Sequence, residues 1–94
     1  MRPSEALAKH RDEVLAIISR YPVRNPRVFG SVARGDDTED SDVDILVDRI
    51  GPMSFPDLFR MESEISTLLG SVVEVATGLK PFAMDSAGSD IRPL

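Results

Sequence analysis

Between Ser4 and Tyr21 the apolar residues Leu7, Val14, Leu15, Ile18 and Tyr21 return at helical spacing, while Glu5, Lys9, Asp12 and Glu13 take the opposite side. The pattern predicts one amphipathic helix, capped by Ser4 and stopped by Pro22, which disfavours the α conformation at Tyr21. His10 falls at the edge of the stripe with no second ligand-type residue at i+4, a place for packing or solvation rather than metal. Arg27-Val28-Phe29 follows Pro26 and runs into Gly30-Ser31, a short strand ending in a tight turn. From Asp42 to Val47 acids alternate with Val43 before Ile45-Leu46-Val47 continues without a polar residue, as in a strand buried on both faces beyond one exposed end. After Gly51-Pro52, Ser54 and Asp57 form a capping-box pair for a helix that Gly70 ends, with Phe55, Leu58, Phe59, Ile65, Leu68 and Leu69 as its buried stripe. Glu62 lies inside that stripe by angle and reads as a snorkelling or locally paired acid. Val72 to Thr77 is a third strand, β-branched but for Glu74 and Ala76. Beyond Gly78, Pro81, Gly88 and Pro93 permit a short helical turn at most, then a loose or partner-dependent tail.

This order describes a small α/β domain, a three-stranded sheet covered by helices, with an N-terminal helix over 1–21, a core over 27–77 and a tail over 78–94. A chain of 94 residues makes one domain, because two halves would each lack a sufficient core. The absence of cysteine excludes thiolate zinc sites, thiol catalysis and disulfides, and no apolar run is long enough to span a membrane. Glu5 precedes any apolar run, so the N-terminus does not read as a secretory or transit signal, and a cytoplasmic protein is expected.

A net charge of −5 argues against a chain held to nucleic acid by phosphate neutralisation, so no direct nucleic-acid partner is expected. The distribution is more informative than the sum. Seven acids and no base lie between Asp36 and Asp48, leaving nine acids and eleven bases elsewhere. A run of this kind is ordinarily a solvated loop. Within it, however, Asp42 and Asp44 are two residues apart on a strand, which puts both carboxylates on one face and Val43 on the other. Glu74 would add a third if its strand lay alongside, and converging acids call for cations between them. Hard oxygen ligands suit magnesium, and a pair of ions about 3.5–4 Å apart is a common device for displacement at phosphorus. Gly30-Ser31 supplies the complementary part, a turn where a backbone can approach an anion and offer N–H and hydroxyl donors. Arg34 either adds positive charge there or ties down the acidic loop through Asp36 or Asp40.

Competing motifs fail on spacing. An EF-hand begun at Asp40 would need glycine at Ile45 and glutamate at Gly51. Neither lysine follows a glycine-rich run, and one histidine leaves little for triad or zinc chemistry.

The stretch GSVARGDDTEDSDVD, from Gly30 to Asp44, resembles the signature of the nucleotidyltransferase superfamily related to polymerase beta. Ala33-Arg34-Gly35 after the serine and Ser41-Asp42 before the strand resemble its minimal nucleotidyltransferase (MNT) branch. The resemblance runs from Val28 to about Leu79 and implies a small mixed sheet with a polymerase beta palm-like fold, magnesium-bound ATP as substrate, and transfer of a nucleoside monophosphate with loss of pyrophosphate. It assigns Gly30 and Ser31 to the triphosphate turn and Asp42, Asp44 and Glu74 to metal binding and catalysis. The branch usually has aspartate at the third position, and Glu74 is one methylene longer.

So short a chain has little beyond the catalytic sheet, so the acceptor must bring its own structure. MNT proteins of this size resemble the antitoxin half of toxin–antitoxin pairs whose partner is a helical HEPN ribonuclease, and the resemblance implies adenylylation of a tyrosine on that toxin. The rival expectation is an antitoxin weak or inactive in catalysis that neutralises by binding; a stand-alone enzyme for a small hydroxylated acceptor is a third.

Overall fold

The computed structural model describes residues 1–77 and 91–94. The elements are α1 (Pro3–Lys9), α2 (Arg11–Ile18), β1 (Val23–Phe29), α3 (Ser31–Arg34), β2 (Val43–Arg49), α4 (Phe55–Leu69), β3 (Val73–Thr77) and β4 (Arg92–Pro93). The sheet has the order β3-β2-β1-β4. β1 runs antiparallel to β2 and β4, whereas β2 and β3 are parallel and joined through α4, so the sheet is mixed.

The helices cover the sheet face that carries Val28, Val43, Ile45, Val47, Val73 and Val75, and Ala6, Val14, Ile18, Met61 and Ile65 fill the space between. Ile45, Leu46 and Val47 are all buried, as the unbroken apolar run predicts, but Leu46 lies outside this core, on the face shared with Asp44 and Asp48. β1 is longer than its apolar stretch. Its register with β2 slips between Arg24 and Arg27, where Asn25 takes a left-handed φ of 54° and Pro26 has no N–H to pair.

Four expectations need correction. The N-terminal helix is broken at His10 (φ −106°, ψ 21°) and ends at Ile18, so it is two short helices rather than one reaching Tyr21. Its first residue is Pro3, suited to an N-terminal position by its fixed φ and missing N–H, and Ser4 therefore lies inside the helix rather than capping it. On α4 the caps are as predicted, with Ser54 and Asp57 bonded reciprocally and Gly70 left-handed at φ 72°, but the stripe is rotated. Met61, Ile65 and Leu69 are buried, while Phe55 and Phe59 are 78% and 66% exposed. Phe59 stands about 200° round the helix from Met61, so the two cannot share a face. Finally, among the described residues the sheet has four strands. The expected loose tail returns as β4, opposite Arg27 and Val28, with the Leu94 amide donating to the Pro26 carbonyl at 3.0 Å. The rest of that expectation, over 78–90, lies outside the described residues.

Candidate active site

β1 delivers the chain to Gly30, which adopts φ 76° and ψ −152° and opens the four-residue helix α3. Few side chains tolerate that φ, and a Cβ at this position would stand 3.1 Å from Asp44 Oδ2. Glycine thus satisfies two requirements at once: the turn is made, and the backbone lies directly against a carboxylate. Ser31 is the first residue of α3, whose end is closed by Gly35 at φ 78°.

Asp44 sits on β2 opposite Phe29 of β1 and in register with Glu74 of the parallel strand β3. Register partners point to the same side of a sheet, so Asp44 and Glu74 are neighbours on the face away from the helices. Burial raises the Asp44 carboxyl above the ordinary aspartate range, and the negative charges of Glu74 and then Asp42 raise it further. Glu74 and Asp42 thus both lie close enough to act on Asp44 at one end of the sheet. Asp42 and Glu74 are exposed and Asp44 is half-buried. Among the described residues no group of three or more acids or histidines is disposed to hold a metal ion by itself.

Arg34 is exposed at the end of α3, with Nε 3.2 Å from Asp36 Oδ2, the first of its two tie-down alternatives. His10 bonds Glu13 at 2.9 Å and plays no part at this end. Glu62 has a partner, the Val75 amide at 2.8 Å, and so belongs to the sheet edge. One residue near the site escaped the sequence reading. Asp37 is 3% exposed, within a run whose composition suggests solvated acids, and only the fold brings the Ser4 amide to within 2.8 Å of it.

The nucleotidyltransferase domain family model matches residues 7–83. Protein adenylyltransferase MntA of Thermococcus cleftensis is 41% identical over 69 residues, 73% of this chain and 67% of that one. A proposed protein adenylyltransferase of Methanocaldococcus jannaschii, MJ0126, is 40% identical over 73 residues, 78% of this chain and 71% of its own. Among solved structures, a proposed minimal nucleotidyltransferase superposes with a TM-score of 0.85 at 35% identity, covering 100% of this chain and 97% of that one. A toxin–antitoxin complex with AMP-PNP has a TM-score of 0.75 at 14% identity, covering 87% and 69%, a likeness of fold. Motif, fold and relatives coincide: the chain belongs to the nucleotidyltransferase domain family, in its minimal branch.

Proposed function

We propose that this protein is a magnesium-dependent adenylyltransferase that moves AMP from ATP to a hydroxyl, a tyrosine on a helical HEPN-type toxin, and so acts as an antitoxin. One observation carries the reading: Asp44, half-buried against the Gly30 turn, has Glu74 in register beside it, Asp42 close enough to raise its pKa, and no basic partner among the described residues. The relatives named protein adenylyltransferase support the nucleotide and the protein acceptor. The toxin–antitoxin structures, one of them a tri-AMPylated HEPN toxin bound to its MNT antitoxin, support the kind of partner.

The donor set suits magnesium. Magnesium commonly takes only one or two carboxylates and completes its shell with substrate phosphates and water, so a closed protein cage is not required. Asp42 and Asp44 would hold the ions with Glu74 on the acceptor side, and bound magnesium would lower the pKa of the attacking hydroxyl and neutralise the phosphates. The chain's own groups do the positioning. The Gly30-Ser31 turn offers backbone N–H groups and a hydroxyl to the β- and γ-phosphates, and Arg34 would reach them only by leaving its Asp36 partner. The acceptor oxygen, its proton passing to solvent, forms a bond to the α-phosphorus as the bond to the bridging oxygen breaks, and the charge on the departing pyrophosphate falls at this turn.

Glu74 serves the attacking side in this arrangement. Incubated with ATP, magnesium and the helical partner, wild-type protein should add adenylyl groups to the partner, read as intact mass. Glu74→Gln should keep nucleotide binding and lose the mass gain, whereas Glu74→Asp should keep it. If wild type blocks the toxin with no mass gain and Glu74→Gln blocks it equally well, neutralisation is by binding alone.

A further inference from the structure

Asp37 is the single charged residue among the described ones that is buried. Its Oδ2 accepts the Ser4 amide at 2.8 Å, in the first turn of α1, and its Oδ1 is buried with no hydrogen-bond partner among the described residues. A carboxylate with one buried oxygen unsatisfied costs stability, so the Ser4 bond only partly offsets its burial. Burial pushes its pKa up, but the hydrogen bond from the Ser4 amide, with the charge of Arg2, outweighs this and holds it low, so it is ionised at neutral pH. Two weaker contacts join the same pieces: the Arg2 guanidinium reaches the Gly35 carbonyl at 3.4 Å, and the Met1 ammonium lies 3.2 Å from Glu39. Both are exposed and add little.

Beyond Asp37 the chain makes a small closed turn. The Thr38 amide donates to the Ser41 hydroxyl at 2.9 Å and the Ser41 amide to the Thr38 carbonyl at 3.0 Å. Asp42 comes next, and Val43 then joins the sheet through its amide and the Val72 carbonyl at 2.8 Å. Among the described residues the Asp42 carboxylate makes no hydrogen bond or ion pair, so its location is set by its backbone. That backbone is fixed on the far side by β2 and on the near side by the Asp37 tie.

We infer that Asp37 is a positioning residue: by holding the start of α1 it fixes the loop that carries Asp42, and α1 is thereby a brace for one of the carboxylates that receive the metal. The inference rests on the magnesium-binding role proposed above, but its test does not depend on that role alone. In Asp37→Ala, amide exchange over 38–42 should accelerate by about tenfold or more while the β2 amides over 43–47 keep their protection. The magnesium concentration that half-saturates the thermal shift with AMP-PNP should rise by about tenfold, as for other groups that orient a ligand without touching the metal. Asp37→Asn, which keeps an acceptor for the Ser4 amide, should recover part of both and serves if the alanine variant does not fold. A variant that melts earlier but exchanges normally over 38–42 and keeps the wild-type magnesium midpoint would show a stabilising tie only and overturn the inference. Should wild type not respond to magnesium and nucleotide at all, the proposed function fails, and unchanged exchange over 38–42 would still overturn the brace.

Discussion

Asp44 and Asp48 lie on the same strand and the same face, yet the structure treats them in opposite ways. Asp48 accepts a bond from Arg27 at 2.6 Å and one from Asn25 at 3.2 Å, and these hydrogen bonds, Asn25 then Arg27, hold its carboxyl below the ordinary range. Asp44 has burial and two acids for neighbours, which hold its carboxyl above that range. Both acids belong to one base-free acidic stretch of the sequence, so residue type does not separate them. The separation comes from what β1 presents: a bulge at Asn25 and Pro26 with Arg27 beside it at one end, and a glycine at the other. A paired acid stabilises the fold, whereas an unpaired one keeps its charge available to a cation.

The widest separation should come from neutralising each acid. Asp44→Asn should abolish adenylyl transfer, a loss of about a thousandfold or more for a group on which the transition-state charge depends, and should leave the metal-free protein as stable as wild type or more so. Asp48→Asn should leave transfer nearly unchanged and lower the melting temperature. Mass analysis of the partner together with a thermal scan distinguishes the two, and equal loss of transfer in both variants would erase the contrast.

Gly30→Ala tests the glycine itself. The strained backbone alone should cost about 1–3 kcal/mol, and crowding of Asp44 Oδ2 adds to it. Melting should therefore fall and magnesium-nucleotide binding weaken together; a fully stable variant that binds normally would mean the turn relaxes without moving Asp44.

The smallest effect is on pH. A folded-state pKa raised above the unfolded value means the native protein binds the proton more tightly, so the Asp44 contribution is present at low pH and is lost as pH rises through the raised value. Asp48, with a lowered pKa, contributes above the ordinary aspartate range and loses it as pH falls through the depressed value. Denaturation of metal-free Asp44→Asn across this range should show a steeper acid loss than wild type, and Asp48→Asn a shallower one.

The parts legible in sequence are those whose chemistry is local. The Gly30-Ser31 turn and the Asp42, Asp44 alternation each read from a short local pattern, and Ser54, Asp57 and Gly70 mark the ends of α4 by the same logic, whereas the approach of Gly30 to Asp44 needs the pairing of β1 with β2. Asp37 was not legible, since its partner is 33 positions away and an acid inside an acidic run gives no sign of burial. The break at His10 and the rotation of α4 escaped for a related reason: apolar spacing fits several neighbouring stripes, and packing against the sheet selects one. β4 is two residues long and includes a proline, too little for any strand pattern.

Glu62 has a consequence for how the molecule meets other proteins. An outer strand ordinarily offers unpaired amides to which another extended chain can add. On β3 the Val75 amide is already taken by the Glu62 carboxylate, and on β4 Pro93 has no amide to offer. At these two positions an added strand would find no amide donor, so the described edges are poorer templates for a borrowed strand there.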